Sequence, residues 1–260
     1  MDPRPLGRLT GDREPLLSRR MQTEERPDEA WVAQLTRASR SAARRAIQEG
    51  EDDHRLFRHL EREHRSEGRS HYIEIDAPLE LFALVRLRRP RHVVEVGVSS
   101  GVSSAYLLEG LARNERGTLH SVDLPKRAPA ASRGSDRPSW SIPEGRTSGW
   151  AVPDRLRARW DLRIGDKRVV LPLLAEELDR VDLFVYDVPH DDPKSLPEFR
   201  AIDRRLPRGG IAIVDHGPGG GLCPSLNAWA RWRHATPVRR TGTGLFAFRA
   251  RRSAGRRTGS

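Results

Sequence analysis

Four acids and a pair of glycines carry the chemistry this sequence can do. Gly97 and Gly101 bracket Val-Ser-Ser at the end of the apolar run HVVEV, and Glu95 stands two residues before the first glycine. Asp123 closes TLHSVD, Asp187 closes VDLFVYD and Asp215 closes GGIAIVD. A strand that ends in glycine and turns at once into a helix makes a cradle. Glycine lets the backbone approach a ligand, and the helix N-terminus presents open N–H groups. An acid at the end of the next strand is placed to accept hydrogen bonds from ribose hydroxyls. Gly97, Ser99, Gly101 and Asp123 therefore predict a site for an adenosine-containing cofactor at the carboxyl edge of an open α/β sheet. A tight turn that holds no ligand is the alternative.

The spacing also selects among cofactors. A dinucleotide fingerprint needs G-x-G-x-x-G so that the chain can pass close to a pyrophosphate. Here Gly97-Val-Ser-Ser-Gly101 has no third glycine. Glu95 would repel a pyrophosphate but suits an ammonium or sulfonium charge. S-adenosyl-L-methionine is expected rather than NAD. An NAD(P)-dependent oxidoreductase is the competing enzyme reading. Against it, none of Tyr72, Tyr106 and Tyr186 has a lysine four residues on. A non-catalytic cofactor-binding protein is the other alternative.

The elements that position these residues follow from periodicity. Val93, Val94 and Val96 give the β-branched run of a central parallel strand. Val102, Ala105, Tyr106, Leu108 and Leu111 then recur at helical spacing. TLHSVD, WDLRIGD, VDLFVYD and GGIAIVD read as further strands, with helices over 167–178 and 195–206 between them. A helix near Pro224–Arg233 precedes TPVRRTG and GLFAFRA, which read as a closing antiparallel pair. Ala77–Leu87 reads as a helix leading into the first strand. Pro125–Trp150 has no period and contains Trp140 and Trp150. It follows the second strand, so it is expected to hang over the crevice as a lid, with a loose surface loop as the alternative.

Before that domain, residues 1–70 read as a polar arm followed by a helical extension. From Asp28 to Arg69, Trp31, Leu35, Ala42, Ala46, Phe57, Leu60 and His64 form a modest helical stripe. It predicts one or two helices packed on the domain edge or used for contact between copies. His54, His59 and His64 do not share one helical face, and no metal site is expected of them. Residues 71–250 read as the cofactor-binding domain and 251–260 as a basic tail.

Composition narrows the rest. The formal charge is +11, and the stretch from Arg231 to the end holds nine arginines and no acid. A solvated tail is expected there rather than a nucleic-acid contact, since no aromatic-interleaved basic patch accompanies it. No apolar run nears the ~18 residues of a membrane span. The polar N-terminus lacks a secretory core. A cytoplasmic protein is expected. The single cysteine, Cys223, excludes an internal disulfide and reads as structural.

The ordered set VVEVGVSSGVSSAYLL, HSVDLP, IPEGRTSGWAVPDRLRARW, IGDKRVVLP, DLFVYDVPHDD and LPRGGIAIVDH resembles the class I S-adenosylmethionine-dependent methyltransferases. The methyltransferase-24-type group, which includes sugar and macrolide O-methyltransferases, is the most similar. The likeness covers roughly His71 to Asp215. It implies a Rossmann-like, doubly wound, mostly parallel seven-stranded sheet with an N-terminal helical extension. It also implies methyl transfer to a hydroxyl of a small molecule. Glu95, Gly97 and Gly101 match the first cofactor motif, Asp123 the ribose acid, and Asp166 an acid beside the adenine amine. Asp187, His190 and Asp215 match the catalytic positions. His190 is read as the base, or as a histidine that bonds a loop. In metal-dependent relatives the acids at Asp187 and Asp215 bind Mg2+. Here the second acid of the usual pair is His216, a poor ligand for that ion. Asp191 and Asp192 replace a usual Thr-Tyr.

Overall fold

The computed structural model describes residues 26–67, 77–124, 142–188, 196–215, 224–241 and 243–250. The N-terminal stretch folds as three helices rather than one or two. Helix α1, Glu29–Thr36, starts where the Asp28 carboxylate accepts from the Trp31 amide at 2.8 Å. It stops where Arg37 turns left-handed at φ 61°. Ser39 caps α2, Arg40–Glu51, and Asp53 caps α3, His54–Ser66. Each cap satisfies an amide with no partner inside the helix, so the two breaks are local chemistry that a hydrophobic stripe does not reveal.

Helix α4, Pro78–Arg88, has proline in its first turn, where the missing N–H costs nothing, and buries every side chain from Leu79 to Val85. The chain then alternates strand and helix. It runs through β1 His92–Val96, α5 Val102–Arg113, β2 Thr118–Asp123, β3 Trp160–Ile164, α6 Lys167–Glu177, β4 Leu183–Tyr186, α7 Leu196–Asp203 and β5 Ile211–Asp215. Helix α8, Pro224–Trp232, and strands β6, Val238–Arg239, and β7, Leu245–Arg249, complete it. The seven strands lie in the order β3-β2-β1-β4-β5-β7-β6. Strands β1 to β5 are parallel, and β7 runs antiparallel to both β5 and β6. Strand order reverses between β1 and β4. That switch point is where open α/β sheets hold ligands, outside the carboxyl ends.

Both faces of the sheet are covered, which is why β1 carries Val93, Val94 and Val96. Val93 faces a cluster built with α1 to α5, and Val94 and Val96 face one built with α6 to α8. Trp31, Val32, Leu35, Leu56 and Leu60 belong to the same cluster as Val93 and Leu119. The N-terminal helices thus spend their apolar stripe on α4 and the sheet. The expected boundary at residue 70 lies outside the described residues, as do Cys223 and residues 251–260. Among the described residues no helix is long and apolar enough to cross a membrane.

One buried ion pair fastens α4 to the last hairpin, and the first helix is bonded to both. Arg240 Nε donates to Glu80 Oε1 at 2.5 Å, with side chains 4% and 2% exposed. The Asp28 amide donates to the same oxygen at 3.1 Å, and Trp31 Nε1 reaches the Val238 carbonyl at 3.1 Å. Removing one partner of such a pair leaves a charge buried alone, which costs about 3–5 kcal/mol. Glu80→Ala is therefore expected to lower unfolding stability by that amount in a denaturant titration. A loss below about 1 kcal/mol, the scale of an exposed pair, would show that the site is wet.

Candidate functional site

The turn between β1 and α5 is built by two left-handed glycines. Gly97 has φ 92°, and a Cβ on it would lie 2.0 Å from the Asp187 carbonyl oxygen. Gly101 has φ 93°, and its Cβ would lie 2.6 Å from a Val152 methyl and 2.9 Å from the Gly149 Cα. Only glycine lets the turn press against the exit of β4 on one side and against residues 149–152 on the other. The Gly97 amide donates to the Val122 carbonyl at 3.0 Å and the Asp187 amide to the Val96 carbonyl at 2.8 Å. The ends of β1, β2 and β4 are thus held together. Ser99, between the glycines, has φ 50°. Its hydroxyl oxygen is buried and has no hydrogen-bond partner among the described residues.

Asp123 closes β2 beside this turn and is 9% exposed. One carboxylate oxygen accepts from the Val98 amide at 3.2 Å, and the other accepts from the Ser148 hydroxyl. The acid expected to meet a ribose therefore also anchors the turn and the segment that crosses it.

Glu95 does not meet the crevice as expected. It is 0% exposed. Its Oε1 accepts from the Ser103 hydroxyl at 2.7 Å, and its Oε2 from the hydroxyls of Ser104 and Ser121 at 2.6 and 2.7 Å. Burial pushes its carboxyl above the usual range, and the nearby Asp123 adds to the rise. The three serine hydroxyls pull the other way. Direct contact with a cationic ligand is corrected to a role inside the frame. The side chain alternates to one face of the strand, where α5 covers it.

Asp166 follows β3 and starts α6. Its carboxylate accepts from the Arg168 amide at 2.9 Å and from the Arg168 guanidinium. The Arg168 contacts hold its pKa down to about 2. Asp187 and Asp215 directly follow the register pair Tyr186–Val214 of β4 and β5, or end it, so they stand at the ends of neighbouring strands. Neighbouring strands are about 4.8 Å apart. His190, Asp191, Asp192 and His216 lie outside the described residues. Among the described residues no group of three or more His, Cys, Asp or Glu is arranged to hold a metal ion.

The expected lid is described from Ile142 onward; residues 125–141, with Trp140, lie outside the description. The described part is bonded to the glycine turn. The Gly149 and Ala151 amides donate to the Ser99 and Ser100 carbonyls at 2.8 and 3.0 Å. Arg146 binds Glu67 at 2.6 Å, and its guanidinium lies 5.4 Å from the centre of the Trp150 ring. Arg157 donates to the Gly149 and Val152 carbonyls, both at 3.0 Å.

Two contacts escaped the sequence reading. His64 is 0% exposed, and its Nε2 lies 2.9 Å from the Ser100 hydroxyl. Its i+4 spacing from Leu60, in a stripe with Leu56, was the available signal. The second is a trio on the other face of the sheet. Lys167 donates to the Tyr186 hydroxyl, which donates to Glu198 Oε2, and the Lys167 Nζ lies 3.0 Å from that same oxygen. No spacing could announce it, because α6, β4 and α7 contribute one residue each.

With this geometry, comparison with known proteins is informative. Residues 94–216 match the family described as a methyltransferase domain. A Mycobacteroides abscessus protein named for O-methyltransferase activity is 35% identical over 148 residues, covering 56% of this chain and 58% of its own. A Mycolicibacterium smegmatis protein of similar name is 34% identical over 136 residues, covering 52% and 55%. The chain thus spans little more than half the length of these relatives. Among solved structures, an O-methyltransferase structure from Klebsiella pneumoniae gives a TM-score of 0.51 at 18% identity, covering 77% of this chain and 90% of that one. TomG of Streptomyces achromogenes, a tomaymycin-synthesis O-methyltransferase solved with its S-adenosylmethionine, gives 0.51 at 16% identity, covering 77% and 91%. These two share the fold. Residues 94–216 are thus similar to a methyltransferase domain, and the relatives that share this stretch are named for O-methyltransferase activity.

Proposed function

We propose that this protein transfers a methyl group from S-adenosylmethionine to a hydroxyl of a small molecule. One observation carries the reading. A buried, unpartnered Ser99 hydroxyl sits in a two-glycine turn whose neighbour, Asp123, ends the adjacent strand. Such an orphaned polar atom calls for a ligand group. When bound, the sulfonium supplies a methyl group already activated for displacement.

The chain's own residues then bind, orient and deprotonate. Gly97 and Gly101 allow close approach, and Asp123 accepts from the ribose hydroxyls. Asp166, the acid at the exit of β3, takes the adenine amine. Ser99 and the open amides of α5 take the amino-acid end. Glu95 acts at one remove, by holding Ser103 and Ser104 at the start of α5. For an acceptor held against the methyl group, Asp187 and Asp215 orient the hydroxyl and His190 removes its proton. Were a divalent cation such as Mg2+ to bind, Asp187 and Asp215 would hold it, and it would lower the acceptor's pKa.

Titration calorimetry tests the cofactor. S-adenosylhomocysteine should bind and NADH should not. Asp123→Ala should weaken binding of S-adenosylhomocysteine by about 1–3 kcal/mol, the range for a lost buried hydrogen-bonded partner. Tight NADH binding with no response to S-adenosylhomocysteine would overturn the reading.

The catalytic step is tested by screening hydroxylated small molecules for release of S-adenosylhomocysteine. With an acceptor so found, His190→Ala should lower turnover roughly 10²–10⁴-fold while cofactor affinity stays nearly intact. Activity that survives both this variant and a chelator would leave positioning alone to carry the reaction.

A further inference from the structure

Helix α3 reaches the cofactor turn through the His64 side chain. The His64 Nδ1 lies 2.7 Å from the Leu60 carbonyl oxygen and its Nε2 lies 2.9 Å from the Ser100 hydroxyl, and both residues are buried. A carbonyl can only accept, so Nδ1 carries the proton. In the neutral ring Nε2 then offers a lone pair, and Ser100 donates its hydroxyl proton to it. Trp150 packs on the imidazole with ring centroids 4.6 Å apart, and Arg146, held by Glu67, packs on Trp150. Trp150 and Arg146 thus cover the pair.

That bond bears on Ser99. A φ of 50° is uncommon for a residue with a side chain, and it persists only where the surroundings enforce it. Contacts that enforce it include three among the described residues. Gly149 and Ala151 bind the carbonyls of Ser99 and Ser100, and His64 binds the Ser100 side chain. Their joint result is a Ser99 hydroxyl that is buried without a partner. Every neighbouring hydroxyl on the frame, those of Ser100, Ser103, Ser104, Ser121 and Ser148, is already bonded within the protein.

We propose that His64 is a positioning residue for the cofactor: through Ser100 it holds the turn in the form that leaves the Ser99 hydroxyl open to the amino-acid end of S-adenosylmethionine. The choice of that end follows from strand order. A ribose on Asp123, at the end of β2, puts the amino-acid end over the next strand, β1, and its turn. The inference rests on the cofactor reading above. It gives the N-terminal helices, which precede the matched residues 94–216, a part in the site.

Calorimetry of the full chain with S-adenosylhomocysteine tests it. His64→Leu fills the space without an acceptor and should weaken binding about 10–100-fold. His64→Gln supplies an amide oxygen that can accept from Ser100, and should stay within about five-fold of wild type. Ser100→Ala removes the donor with little change of volume and should weaken binding as His64→Leu does. The double variant His64→Leu/Ser100→Ala should bind no more weakly than either single one, because both remove the same contact. Thermal unfolding of each variant reads the packing cost separately. Equal loss for Gln and Leu, or wild-type affinity in Ser100→Ala, overturns the role of His64. Failure of the wild type to bind S-adenosylhomocysteine overturns the cofactor reading instead.

Discussion

A carboxylate with no exposed surface must be surrounded by donors, and the one at Glu95 decides where three elements meet. Ser103 and Ser104 come from α5, and Ser121 comes from β2. Leaving a buried charge short of partners costs several kcal/mol, so the three hydroxyls are close to obligatory. Their positions fix the helix start against the strand end. The glycine turn between them has little remaining freedom. Asp123 then adds a second tie, from the end of β2 to the Val98 amide. The cradle is therefore set by an acid that lies beneath it.

The same acid shows how far a sequence can be read. Glu95 is legible as a member of the first motif, but its partners are serines whose direction only the packing of α5 decides. Strands β4 and β5 were legible because a sheet covered on both faces demands continuous apolar runs, which LFVY and IAIV supply, and β1 was legible from Val93, Val94 and Val96. The closing hairpin was legible in the adjacent pieces TPVRRTG and GLFAFRA. The N-terminal breaks were not, because they depend on a left-handed Arg37 and on side-chain caps at Ser39 and Asp53. His64 was half legible: its spacing marks the buried face of α3, while its partner Ser100 is 36 residues away. Lys167, Tyr186 and Glu198 were wholly hidden, since tertiary packing alone joins them. Their meeting also qualifies the argument against an oxidoreductase from sequence spacing, for a lysine does reach Tyr186 in space. Both its hydroxyl and its lysine are committed to Glu198, on the face opposite α5, so the trio ties α6, β4 and α7 together.

The segment 148–152 links the floor of the cradle to its rim. Trp160 donates through Nε1 to the Ser121 hydroxyl at 2.8 Å, and Ser121 in turn donates to Glu95. The same indole packs on Gly149, where an added Cβ would lie 2.0 Å from the ring. Gly149 touches Gly101 and binds Ser99, Ala151 binds Ser100, and Ser100 binds His64. A continuous chain of contacts thus runs from β3, under the turn and over it, to α3. Contacts in such a chain are coupled, and loosening one shifts the geometry of the next. Around this turn the buried polar atoms it leaves unspent are the Ser99 hydroxyl and the Trp150 indole N–H. A frame this fully bonded presents its unspent donors in fixed positions, which lowers the ordering cost of binding a ligand that can use them.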